Sequence, residues 1–153
     1  MKKTLLITGA SKGIGRATAA LFLEKGYRVV NLSRSAPNLS GVVHIPLDLA
    51  DAHAIPQHSD SIVGSIQDSD IIVLIHNAAM MVKDTTETVT PEIFQQVFQL
   101  NVIAATQINQ IVLPKMKPGS SILYVASTLA EKAASTEAQR IHRDVKILGG
   151  NLF

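Results

Sequence analysis

Three glycines spaced four and then two residues apart, in Thr8-Gly9-Ala10-Ser11-Lys12-Gly13-Ile14-Gly15, lie where a short apolar run gives way to a helical pattern. That placement suits a diphosphate. Glycine permits a tight turn and a close backbone approach, while the unpaired N–H groups and positive dipole of a helix start attract an anion. Gly9, Ser11, Lys12, Gly13, Ile14 and Gly15 are therefore candidate nucleotide contacts.

The elements that would position this loop are legible as apolar runs. Thr4 to Thr8, Arg28 to Leu32, Val42 to Leu47, Ile71 to Ile75 and Ser121 to Ala126 are continuous rather than alternating, the pattern of strands buried on both faces of a parallel sheet. Ile14 to Lys25 reads as a helix with an apolar stripe of Ile14, Ala17, Ala20 and Leu21, closed by Gly26. A further helix covers part of Ala52 to Gln67, with Pro56 and Gly64 obscuring its limits. Thr90-Pro91 offers an N-cap and a first-turn proline for a long helix over residues 91–113. Its main stripe is Ile93, Val97, Leu100, Ala104, Ile108 and Ile111. Phe94, Phe98, Ala105 and Val112 form a second set, which belongs either to a partner chain in a homo-oligomer or to one wide core face. The order βαβ, β, α, β, α, β predicts a doubly wound, three-layer α/β sheet, Rossmann-like, with strand order 3-2-1-4-5. Such sheets bind ligands beyond the carboxyl ends of their strands.

Composition narrows the field of functions. The 153 residues carry 14 Lys and Arg against 12 Asp and Glu, and 46% are hydrophobic, so one folded domain is expected rather than a disordered chain. No segment gathers five or six like charges and aromatics make up 4%, which argues against a nucleic-acid partner. Without cysteine there is no disulfide framework and no thiolate metal site, the five histidines lack metal-ligand spacing, and no metal is expected. Lys2-Lys3 and Leu5-Leu6-Ile7 begin like a secretory leader, but Thr8-Gly9 interrupts the run short of the roughly 7 to 15 apolar residues required. Nothing approaches the ~20 apolar residues of a membrane span. The expected location is the cytoplasm, with no membrane partner.

The glycine spacing resembles the Thr-Gly-x-x-x-Gly-x-Gly motif of the short-chain dehydrogenase/reductase family. Other landmarks follow in that family's order: Asp48-Leu49 after the third strand, Asn77-Ala78-Ala79 after the fourth, Asn101-Val102 in the long helix and Ser127 at the end of the fifth strand. The resemblance spans residues 1–132 and implies a cofactor domain over residues 1–134, followed by a tail over residues 135–153. It implies that Asp48 and Leu49 lie at the adenine, and that Asn77, Ala78 and Ala79 stand beside the adenosine. His76-Asn77-Ala78-Ala79 departs from the usual Asn-Asn-Ala-Gly and puts a methyl group where backbone and cofactor meet. Plainer roles stay open: Asp48 or Asp51 capping the next helix, Asn77 in a turn, Asn101 as a satisfied core amide.

At the end of the second strand, Val30-Asn31-Leu32-Ser33-Arg34 has no acid to bind a ribose 2′-hydroxyl and repel a 2′-phosphate. Ser33, Arg34 and Lys12 can instead take up the phosphate, Arg with two parallel donors and Lys as a point charge. NADP(H) is the expected cofactor, ahead of NAD(H).

By the same resemblance, Ser127 hydrogen-bonds the oxygen of a small carbonyl or alcohol substrate, and Asn101 completes a proton relay. The family's proton donor is a tyrosine with a lysine one helical turn later, which lowers the tyrosine pKa. Here the tyrosines are Tyr27 and Tyr124, followed four residues on by Asn31 and Thr128, so Tyr-x-x-x-Lys is absent. His142 and Lys146 have that spacing and histidine titrates near neutrality. Val145-Lys146-Ile147-Leu148-Gly149-Gly150-Asn151 alternatively resembles the family's last strand, as after an internal deletion; a shifted reading frame or an early end is the third reading. The expected function is an NADP(H)-dependent carbonyl/alcohol oxidoreductase, impaired as the chain stands. A non-catalytic nucleotide-binding or oligomerising module is the alternative.

Overall fold

The computed structural model describes residues 1–82 and 88–127. His142, Lys146 and the whole 135–153 segment lie outside the described residues, as does the proposed boundary at 134.

Five parallel strands, β1 (Lys3–Thr8), β2 (Arg28–Ser33), β3 (Val42–Pro46), β4 (Ile71–His76) and β5 (Ser121–Tyr124), form one sheet in the order β3-β2-β1-β4-β5. Helices cover both faces. Helix α1 (Gly13–Glu24) lies on one side, where Ala19 packs with Leu5, Ile7, Val29, Val73 and Ile75. On the other side, α2 (Ala54–Gln57), α3 (Ser59–Ile66) and α5 (Ala104–Val112) bury Ile55, Ile62, Ile66, Ile108 and Val112 against Leu6, Val30, Leu32, Ile72 and Leu74. Helices form the crossovers from β1 to β2, β3 to β4 and β4 to β5, whereas residues 34–41 join β2 to β3 without one.

Continuous burial holds for β1, β2 and β4. It fails for β3 and β5, which have one strand neighbour each among the described residues; Val43 is 38% exposed and Leu123 47%. Strand β5 also ends at Tyr124, two residues earlier than expected, although the Val125 N–H still donates to the His76 carbonyl at 2.9 Å.

The expected stripe of α1 is rotated. Gly15 and Ala19 face the sheet, with Phe22 and Leu23 half-buried, whereas Ile14 is 68% exposed and Leu21 49%. Steric proximity explains the difference. A Cβ on Gly15 would stand 2.5 Å from the Gly9 carbonyl oxygen and closer still to Asn77 Nδ2, so the helix sits too near the strand ends for a large side chain there.

The long helix also departs from its simple pattern. Thr90 caps α4 (Pro91–Phe98), accepting from the Ile93 N–H at 3.3 Å, as the Thr90-Pro91 signal predicts. A π-helical stretch, Gln99–Ile103, then separates α4 from α5. The wider turn shifts the register. Of the second set, Val112 packs in the sheet core beside Ala104 and Ile108 and Ala105 is buried, as one wide core face requires, while Phe94 remains exposed, as does Ile103.

Candidate functional site

The chain leaves β1 at Thr8 into the glycine loop, and both that loop and the end of β4 are fastened to each other by side chains. The Thr8 hydroxyl accepts from the Asn77 and Ala78 backbone N–H groups, each at 3.0 Å. Asn77 Nδ2 donates back to the Thr8 and Gly9 carbonyls at 3.1 and 3.0 Å. Gly9 has φ +70°, and a Cβ there would come within 2.9 Å of Ala78 Cα. Both the left-handed backbone and the contact require glycine. Gly13, at φ +57°, opens α1 with nothing within 4 Å of where its Cβ would stand.

Beyond the strand ends is a cleft of about 550 Å³. Gly9, Ser11 and Lys12 line it from the first loop, Ser33 and Arg34 from the end of β2, Asp48 and Leu49 from beyond β3, and Asn77, Ala78 and Ala79 from beyond β4. Ten of the expected cofactor positions thus converge on one cleft at the point where strand order reverses. Gly13, Ile14 and Gly15 are not on its wall: Gly13 and Gly15 shape the turn and the helix packing, while Ile14 projects outward. Four further wall residues, Ser35, Ala36, Leu47 and Leu100, carry no motif that sequence reading would single out. Among the described residues no group of three or more His, Asp or Glu side chains could hold a metal ion.

Neither Asp48 nor Asp51 caps α2. Asp48 Oδ1 accepts from the Ala50 N–H at 3.0 Å and Asp51 Oδ1 from the His53 N–H at 2.9 Å, closing two local turns, and the residue before α2 is His53, whose side chain makes no capping bond.

Asn101 lies in the π-helical stretch, 8% exposed. Its Oδ1 accepts from the Met80 N–H at 3.0 Å and its Nδ2 donates to the Met80 carbonyl at 2.9 Å. The satisfied-amide reading therefore describes this side chain: it ties the segment after β4 to the long helix. Ser127, half-buried, stands three residues beyond the end of β5.

One polar cluster went unread in the sequence. His76 stacks on Tyr124 with ring centroids 4.7 Å apart, and Asn109 Nδ2 donates to the Tyr124 hydroxyl at 2.7 Å. That leaves Asn109 Oδ1 to accept from His76 Nε2 at 2.9 Å. Burial pushes the Tyr124 phenol above its usual pKa, and the hydrogen bond from Asn109 works against that shift. Pairing of β4 with β5 sets His76 beside Tyr124, and packing of α5 on the sheet brings Asn109 to both.

The sheet order and the cleft at its reversal point define a Rossmann-type nucleotide-binding protein. The family model described as short chain dehydrogenase matches residues 3–139, and the chain belongs to that family. It is 31% identical to human L-xylulose reductase over 147 residues, 89% of this chain and 57% of that protein. It is 34% identical to D-erythrulose reductase of Gallus gallus over 144 residues, 87% of this chain and 56% of that protein. The chain thus spans a little over half the length of these relatives. Its fold matches that of a short-chain dehydrogenase/reductase from Burkholderia vietnamiensis, with a TM-score of 0.86 at 19% identity over 96% of this chain and 75% of that one. A blue fluorescent protein from a metagenomic library, solved in complex with NADPH, matches with a TM-score of 0.82 at 22% identity, over 95% of this chain and 64% of that one.

Proposed function

We propose that the chain binds NADP(H) in the cleft and forms the cofactor-binding part of an oxidoreductase acting on a small carbonyl/alcohol pair. The observation that carries this reading is the cleft wall itself, where Lys12 and Arg34 stand at two of its loops and the end of β2 presents Ser33 and Arg34 without a carboxylate. Arg34 and Lys12 would hold a 2′-phosphate, and the N-terminus of α1 the pyrophosphate. NADPH held there would supply the hydride for reducing a carbonyl to an alcohol, with the proton for the oxygen coming from outside the cofactor. Ser127 would orient that oxygen by a hydrogen bond. The reductase names of the relatives, for L-xylulose and D-erythrulose, support a hydroxylated carbonyl substrate.

Proton delivery is the weak link, because no Tyr-x-x-x-Lys pair exists in the sequence. We expect tight NADPH binding with weak or no turnover, which is the behaviour of a nucleotide-binding module. The same reading gives the outer face of residues 91–113, with Phe94 and Ile103 exposed, to a second copy of the chain. Titration of NADPH and NADH against the wild-type chain and Arg34→Asp tests the cofactor assignment. NADPH affinity should fall at least tenfold more than NADH affinity, from loss of one charge-assisted pair and gain of a repulsion. Equal losses would refute it. Clear multiple turnover with a panel of ketones would refute the expected impairment.

A further inference from the structure

Asn31 is fully buried on β2, and its side chain makes three hydrogen bonds that no sequence motif announces. Its Oδ1 accepts from the Ala10 backbone N–H at 2.9 Å. A backbone N–H can only donate, so that contact fixes which end of the amide is which. Nδ2 must then face the other two partners, donating to Ser33 Oγ at 2.8 Å and to His44 Nδ1 at 3.0 Å. Ser33 passes the constraint on, since its hydroxyl donates to the Ser35 carbonyl at 2.8 Å. One amide thus connects the glycine loop at Ala10 with the Ser33–Ser35 segment that carries Arg34. His44 on β3 accepts through Nδ1, which leaves its other ring nitrogen, Nε2, bearing the proton.

We propose that Asn31 is a positioning residue of the cofactor cleft, holding the loop for the pyrophosphate and the loop for the ribose phosphate in one fixed relation. It touches no cofactor in this role. Its two arms have separate consequences. The Ala10 arm acts on a feature shared by NADPH and NADH, whereas the Ser33–Ser35 arm acts on the segment that meets only the 2′-phosphate. The second arm rests on the NADP(H) reading; the first does not.

The test uses the full chain with NADPH and NADH as the probes. Asn31→Leu, of similar size but without polar atoms, loses both arms and should weaken NADH roughly tenfold and NADPH by a further factor, the equivalent of one or two hydrogen bonds for each arm. Ser33→Ala should weaken NADPH roughly tenfold and leave NADH unchanged, and Ser33→Thr, which keeps a hydroxyl, should restore NADPH affinity. Amide hydrogen exchange supplies a readout independent of cofactor. Protection of the Ala10 N–H should disappear in Asn31→Leu, while that of Gly9, whose N–H donates to the Leu32 carbonyl at 3.0 Å, should persist. Unchanged affinity for both cofactors, or retained Ala10 protection, would overturn the proposal. Should Asn31→Leu not fold, Asn31→Asp decides, because a carboxyl keeps an acceptor for the Ala10 N–H but loses the donors to Ser33 and His44: Ala10 protection should persist while NADPH weakens more than NADH, and equal losses for both cofactors would overturn the proposal. Wild-type preference for NADH would overturn the cofactor reading alone, leaving the Ala10 arm to be judged by Asn31→Leu.

Discussion

Asn101→Ala separates a residue that holds the site together from one that relays protons through it. The substitution deletes two hydrogen bonds, both to Met80, from a position only 8% exposed. At about 1 kcal/mol for each bond, with a further contribution from Met80 groups left poorly solvated, the loss of stability should be about 2–3 kcal/mol. For a domain of this size that lowers Tm by roughly 5–10 °C. Urea unfolding followed by circular dichroism gives the first number, and a thermal scan the second. Asn101→Asp sharpens the argument, because a carboxylate still accepts from the Met80 N–H but sets a negative oxygen against the Met80 carbonyl. At neutral pH it should be at least as destabilising as alanine. A loss under about 0.5 kcal/mol for Asn101→Ala would refute the reasoning, since two bonds from a buried amide to one residue could not then be fastening the segment after β4.

Further consequences follow from the same geometry. Thr8→Val keeps the shape but removes the acceptor for two backbone N–H groups, and should cost about 2 kcal/mol in chemical denaturation while loosening the cleft wall at Asn77 and Ala78. Gly15→Ala should destabilise by about 1–3 kcal/mol through overpacking against the Gly9 carbonyl and Asn77, whereas Gly64→Ala, with open space around it, should be neutral or stabilising. The Asp70 carboxyl lies below its usual pKa of 3.8, first because the Lys2 N–H donates to it at 2.7 Å and then because Lys117 and the chain's amino end are near. A carboxyl lowered on folding stabilises the fold above its ordinary value and loses that effect as pH falls through the lower folded value. The stability gap between wild type and Asp70→Asn, followed by Tm against pH, should therefore be open at neutral pH and close below about pH 4; a gap that widened on acidification would contradict the assignment.

Much of the fold was legible because parallel strands buried on both faces leave uninterrupted apolar runs, and because Gly26 and Thr90-Pro91 mark helix ends chemically. The glycine loop was legible for the same kind of reason: Gly9 is demanded by a local φ of +70°. The α1 stripe was misread because the residue facing the sheet, Gly15, has no side chain to contribute to an apolar pattern. Beyond residue 98 the main stripe of the long helix holds, with Leu100, Ala104, Ile108 and Ile111 on the core; Val112 joins it from the second set, past a π-helical turn that leaves no mark in residue type.

What the sequence determined by itself is local and periodic: the five strands, the helix after the glycine loop, the glycine that the loop's turn requires, and the lack of Tyr-x-x-x-Lys. What the tertiary structure decided is which distant groups meet. Asn31 reaches Ala10, Asn101 reaches Met80, and His76, Asn109 and Tyr124 join across strands and helix. A buried polar group must find a partner, and residue type announces that need; the strand register and the helix packing alone determine which partner is within 3 Å.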